Sequence, residues 1–301
     1  MTAQDPDLAP VTAGGSGIGP RALPFTSIDM AMWQHTLERP FLVRGIGLHT
    51  GMPASVHVEP APAGTGRVFL VGGVEIPALL DAVVDTRLAT TLGSGNARIT
   101  MVEHLLAAMH AAGVDNARIH VDGPEVPVLD GSARTWVAAL HNAGLRAQAR
   151  RRSPLTIRRA VRVESGDSWA ELWPASSFEV DVTVDFPHPH IGRQTWSGPV
   201  TGHHFYQLAA ARTFGFRADA ERLWASGLAR GASLENTVVY DDDGVLNPGG
   251  LRSHDEAVRH KALDAVGDAA LLGAPIHGRL RAYKAGHALH KQLFEASRAD
   301  N

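Results

Sequence analysis

The chain has 301 residues, 44% of them hydrophobic and 20% charged, with a formal net charge of −3. That length is more than one ordinary core needs and fits two domains, and the charge excludes a general nucleic-acid binder, which needs a basic surplus. There are no cysteines, so disulfides and thiolate metal sites are excluded and any metal must be held by His, Asp or Glu.

Residues 1–35 are rich in Gly, Pro, Ala and Asp without periodicity and read as a flexible N-terminal extension. MTAQDPDLAPVTAGGSGIGP lacks the basic and apolar regions of a signal peptide, and no run reaches the roughly 18 apolar residues of a membrane span, so the expected location is cytoplasmic. From Pro40, PFLVRGIGLHTGMPASVHVEPAPAG alternates around a Gly-rich turn and predicts a hairpin. PLTIRRAVRVESGDSWAELWPASSF follows at an offset of 114, matching Pro40 with Pro154, Arg44 with Arg158, Pro60 with Pro174 and Ala61 with Ala175. The recurrence points to a duplication. LRAQARRRSP, 145–154, reads as the linker between an N-terminal domain over 36–145 and a C-terminal domain over 155–298. Helices are predicted over 101–112, 133–142, 218–226, 255–272 and 288–297. Strands and helix pairs without regular βαβ alternation indicate the α+β class.

Four segments carry candidate chemistry. In VRHKALDAVGD, a helix places His260, Asp264 and Asp268 four residues apart on one face. With Glu256 and Lys261 they form the polar arc of an amphipathic helix, which is either a solvated face or a pair of metal ligands at i and i+4. In ITMVEHLLAAMHAAG, Glu103 and His104 sit in a helix that is otherwise almost wholly apolar, where buried polar groups need partners. A capping box from Thr100 to Glu103 and a hydrogen-bonded core histidine are the structural alternatives. RAYKAGHALHK places His287 after Gly286 at a turn, as a loop histidine or a site residue, and ARTFGF places Thr213 beside Phe214. GIGLHTG holds His49 in a glycine-rich turn whose spacing is wrong for dinucleotide binding.

GIGLHTG, DTRLATTL, VEHLLAA, GVDNARIHVDGPEVPVLDGSA, ARTFGF, GASLENTVV, VLNPGGLR, VRHKALDAVGD and YKAGHAL together resemble, in order and over about 36–297, the zinc-dependent UDP-3-O-acyl-N-acetylglucosamine deacetylases of lipid A biosynthesis. The resemblance implies two similar α+β sandwich domains whose helices face each other with the metal between them. It implies Zn²⁺, with Fe²⁺ as the alternative ion, held by His104, His260 and Asp264. It implies Glu103 as general base, His287 as general acid or electrostatic partner, Asp268 orienting His287, and Thr213 near the carbonyl oxygen. Lys261 and Lys284 would meet the diphosphate, Phe214 the sugar, and Asp185 with Phe186 the uridine. The implied partner is an acylated UDP-sugar, with at most peripheral contact at the inner membrane surface.

Met101 stands where the family has Ser or Thr before VEHL; Arg217, Ala220, Ala229 and Arg230 occupy the acyl-passage segment; Ser253 and His254 replace an aromatic. These departures leave two other expectations open: a related deacetylase acting on another N-acyl sugar, and a non-catalytic nucleotide-sugar binder.

Overall fold

The computed structural model describes residues 32–300. The first sheet is built from β2 (Phe41–Ile46), β3 (Pro53–Pro60), β4 (Arg67–Val71), β5 (Val74–Pro77) and β9 (Ala117–Asp122), in the order β2-β3-β9-β4-β5. The second is built from β12 (Val161–Ser165), β13 (Ser168–Trp173), β14 (Phe178–Asp185), β15 (Arg193–Pro199) and β19 (Ile276–Tyr283), in the order β12-β13-β19-β14-β15, with β11 (Leu155–Thr156) also pairing β19. Pairing directions agree position by position. In each sheet the central strand runs antiparallel to the preceding hairpin and parallel to the third strand.

Helices occur at the same points of the two patterns. α1 (Glu103–Ala112) precedes β9 and α2 (Arg134–Ala143) follows it; α5 (Glu256–Ala269) precedes β19 and α6 (His287–Asp300) follows it. Each half also inserts a small three-stranded sheet ahead of the helix that precedes its central strand, α1 or α5. In the first these are β6 (Val83–Asp85), β7 (Thr91–Ser94) and β8 (Ala97–Ile99); in the second, β16 (Phe214–Phe216), β17 (Val238–Asp241) and β18 (Gly244–Val245). The second half adds α3 (Gly202–Ala209) and α4 (Ala220–Ala225). The molecule is α+β with a duplicated topology, as the sequence pattern implies.

Alternation along β3, β14 and β19 buries every second residue, so each sheet turns one face to the helices. Between the sheets, α1 and α5 pack against each other so tightly that a Cβ at Gly267 would stand 2.2 Å from the Glu103 carbonyl oxygen. Gly in a helix interior costs about 1 kcal/mol relative to Ala, and here its missing side chain is what permits the approach.

Several local expectations change. The hairpins form, with Phe41 opposite Val58 and Val161 opposite Leu172. The offset of 114 superposes β3 on β13 but sets β2 against 155–160, ahead of β12, because the second hairpin turns in fewer residues. Of the four matched identities, Pro60/Pro174 and Ala61/Ala175 therefore fall at the ends of structurally equivalent strands, and the other two do not. The segment read as a linker is a strand over most of its length: β10 (Leu145–Arg151) pairs with β1 (Trp33–Leu37). The extension expected over 1–35 lies outside the described residues up to 31, and 33–35 belong to β1. The capping box does not form. Val102 is the residue before α1 and makes no side-chain cap, Thr100 Oγ1 is engaged by Thr91 Oγ1 at 2.8 Å, and Glu103 accepts from the Thr90 amide instead. Among the described residues no helix is long and apolar enough to cross a membrane.

Candidate metal centre and catalytic cavity

The polar stripe of α5 does not face water. Every residue of the helix except Arg259 and Lys261 is buried, Glu256, His260, Asp264 and Asp268 included. Burying that many ionisable groups is unfavourable unless each finds a partner, and the partners explain the arrangement. Glu256, at the start of α5, accepts from the backbone and guanidinium of Arg212 and from the Arg252 amide. His260 Nδ1 lies 3.2 Å from the Ala211 carbonyl oxygen, which can only accept, so Nδ1 carries the proton and the Nε2 lone pair is free.

That lone pair meets the two residues expected beside it. His260 Nε2 is 3.4 Å and His104 Nε2 3.7 Å from the same oxygen, Asp264 Oδ1. One ligand atom from each of His104, His260 and Asp264 falls within 4.8 Å of the others. A tetrahedral zinc with bonds of about 2.1 Å separates its ligand atoms by about 3.4 Å, so the spacing and donor types fit one ion. Burial, reinforced by His104 and Lys261, pushes His260 down to about 4, the neutral form a metal ligand needs. Burial alone would raise Asp264, yet Lys261, whose Nζ is 2.7 Å from Oδ2, together with the nearby imidazoles holds it well below the usual carboxylate range.

Glu103 precedes His104 at the start of α1 and is 2% exposed. Burial raises it above the ordinary glutamate range, with His287 and His104 acting the other way. Its Oε2 accepts the Thr90 N–H at 3.1 Å. Across the cavity, His287 opens α6, and its Nδ1 is 2.8 Å from Asp268 Oδ2. Burial would lower His287, but Asp268, Glu103 and Asp264 outweigh it and push it up to about 9. Burial would raise Asp268, but His287 and His290 outweigh it and hold it far below the ordinary range.

A cavity of 470 Å³ joins these groups. Glu103, His104, His260, Lys261, Asp264, His287, Thr213, Phe214, Phe186 and Lys284 all line it. Of the residues expected from sequence, two do not. Asp268 stands behind His287, in a smaller cavity, and Asp185 is off the wall with its carboxylate accepting from Tyr283 Oη at 2.8 Å. Lys284 also pairs with Asp167, and Phe214 packs edge-on to both Phe186 and His260. Thr213 is fixed through its backbone: its N–H donates to Gly131 O at 2.7 Å and its carbonyl accepts from Val238 N–H at 2.8 Å. Gly131 is indispensable there, since a Cβ would stand 1.8 Å from the Asn236 carbonyl oxygen and its φ is +81°.

Sequence reasoning missed Thr90, which bonds both Glu103 and, through Oγ1 at 2.7 Å, Asp268. It sits in the loop before β7, where no periodicity marks it. It also missed His290, whose spacing of three from His287 on a helix was a usable signal. Leu48, Leu88, Met101, Ser165 and Ser168 complete much of the cavity wall. Met101 takes a φ of +63°, a left-handed conformation that costs a non-glycine residue roughly 1–2 kcal/mol, immediately before the helix that presents Glu103 and His104.

Two imidazoles and a carboxylate at metal-ligand spacing, with a raised carboxyl group and a His–Asp pair beside them, are the constellation of a metal-dependent hydrolase. The comparisons give the particular family. The family model for UDP-3-O-acyl N-acetylglycosamine deacetylase matches residues 34–297, and the chain belongs to that family of metal-dependent deacetylases. Proteins named UDP-3-O-acyl-N-acetylglucosamine deacetylase are its relatives. That of Myxococcus xanthus (strain DK1622) is 47% identical over 272 residues, covering 89% of this chain and 87% of the relative. That of Anaeromyxobacter sp. (strain Fw109-5) is 46% identical over 275 residues, covering 90% of each. That of Brucella melitensis biotype 2 is 44% identical over 277 residues, covering 90% of this chain and 97% of the relative.

Proposed function

We propose that this chain hydrolyses the N-acetyl group of UDP-3-O-acyl-N-acetylglucosamine, releasing acetate and UDP-3-O-acyl-glucosamine, a step of lipid A biosynthesis. The observation that carries the reading is the convergence of Glu103, His104, His260, Asp264 and His287 on one cavity, in a chain of this family.

His104, His260 and Asp264 would hold the ion, Zn²⁺ or else Fe²⁺. When bound, it supplies Lewis acidity toward a water molecule and the amide carbonyl. Glu103, raised by burial, takes the proton of the attacking water near neutral pH. His287, kept protonated by Asp268, faces the leaving nitrogen and supplies its proton or balances the negative charge that develops on oxygen. Thr213 stands on the wall where the carbonyl oxygen would sit. Lys261 and Lys284 offer positive charge to the diphosphate, Phe214 a face to the sugar, and Phe186 with Asp185 a site for uridine. The two equal strand orders support reading 36–145 and 155–298 as the two domains. The location that goes with this reading is the cytoplasm, with at most peripheral contact at the inner membrane surface.

The test is acetate release from the acylated UDP-sugar by purified, zinc-loaded protein. Turnover supports the reading. No turnover with metal bound and fold intact contradicts it, and equal kcat/KM with and without the acyl chain points to a different N-acyl sugar.

A further inference from the structure

The first turn of α6 carries a second imidazole that the chemistry above does not use. His290 follows His287 by three residues, on the same helix face, and is 1% exposed. Its Nδ1 is 2.8 Å from Asp268 Oδ2, the oxygen that also stands 2.8 Å from His287 Nδ1. Thr90 Oγ1 takes the other oxygen at 2.7 Å. An ionised carboxylate only accepts, so both Nδ1 atoms carry protons. The far nitrogens differ. His287 lines the catalytic cavity, whereas His290 Nε2 is buried with no hydrogen-bond partner. The proton that His290 offers Asp268 is thus the one on Nδ1, while its Nε2 meets no partner.

We propose that His290 is a positioning residue for His287: its Nδ1–H clamps the Asp268 carboxylate and draws charge from the oxygen that holds His287, so that His287 releases its proton more readily. This rests on reading His287 as the proton donor of the deacetylation. The physical requirement is plain. A buried carboxylate with His287 as its main partner over-stabilises the imidazolium, and an acid that keeps its proton too tightly transfers it poorly. His287 is the first residue of α6, where the helix dipole opposes its charge, but Glu103 of α1 and Asp264 of α5 add to the pull of Asp268. His104, Lys261 and Lys284 line the same cavity, and Lys291, paired with Glu295, lines the smaller one behind Asp268. None of these donates to Asp268; His290, Thr90 and His287 do.

The experiment is an NMR pH titration of histidine ring nitrogens in zinc-loaded wild type, His290→Asn and His290→Met. Asn sets an amide N–H where Nδ1 stands; Met fills similar volume without a donor. His290→Met is expected to raise the His287 pKa by roughly half to one unit, His290→Asn to hold it near the wild-type value, and wild-type His290 to show a proton on Nδ1. An unchanged or lowered His287 pKa in His290→Met, or an equal shift in His290→Asn, overturns the proposal. So does a wild-type His290 that carries no proton on Nδ1, a readout that needs no variant to fold. Absent acetate release by wild type would sink the functional reading, and the titration reports on His290 independently of it.

Discussion

The two halves of the molecule share a strand order and helix placement but not a chemistry. In the first half, α1 is apolar except for Glu103 and His104, side by side at its start, and His110 near its end, and α2 buries only Trp136, Val137, Ala139, Leu140 and Ala143. In the second, α5 buries His260, Asp264 and Asp268 along its length, and α6, the counterpart of α2, buries His287 and His290. The difference shows how a duplicated scaffold acquires a site: one copy keeps an ordinary helical core and lends two residues, while the other turns its inner helix face into a polar stripe. Neither half holds the set alone. His104 comes from one side, His260 and Asp264 from the other, and Gly267 lets the helices approach closely enough to bring these three side chains together.

The sharpest break of this asymmetry is Glu103→Ala. It removes the proposed base, which the first half contributes, and leaves the three proposed ligand residues in place. Turnover should fall on the order of 10²- to 10⁴-fold while metal content, read by elemental analysis, stays at the wild-type level. Gly267→Val attacks the approach itself. Its Cβ has no room against the Glu103 carbonyl, so the helices must separate, costing about 1–3 kcal/mol, and both the Tm and the metal affinity should drop.

A third test titrates the second half. His287 is raised from 6.5 to about 9 in the folded chain. Its pairing with Asp268 therefore stabilises fully below about pH 6.5 and is lost as pH rises through about 9. Asp268 is lowered, so its contribution is present above the ordinary aspartate range and is lost only in strong acid. For metal-free protein, unfolding free energies from urea titrations at pH 6, 8 and 10 should decline by an amount on the order of 3 kcal/mol at most, and His287→Ala should flatten that decline. An unflattened slope would assign it to other groups. The smallest effect is expected at His141→Ala, the exposed histidine of α2. It should change stability by less than about 0.5 kcal/mol and leave turnover unaltered, in contrast to the histidines of α6.

Much of this was legible in the sequence because helical periodicity is. The spacing of His260, Asp264 and Asp268 set them on one face before any coordinates, and Glu103 and His104 stood out against an apolar background. Periodicity could not say what that face meets, and the polar arc of α5 reads equally as a wet surface until α1 is packed on it. Thr90 escaped because its role depends on a loop reaching two helices. The capping box failed because Thr100 found Thr91 first. α3 was missed because GHHFYQLA is only 8 residues long and begins with Gly, too short for a periodic pattern to declare itself. The duplication was visible in its outline, while its register was hidden by the shorter second turn.

The central claim is that facing helices from the two halves build one metal site. Zinc stoichiometry of wild type, His104→Ala and Asp264→Ala tests it most directly, since the two substitutions fall on opposite halves. The account predicts one tightly held ion per wild-type chain and its loss in both variants with the fold retained; full occupancy in either variant would contradict it.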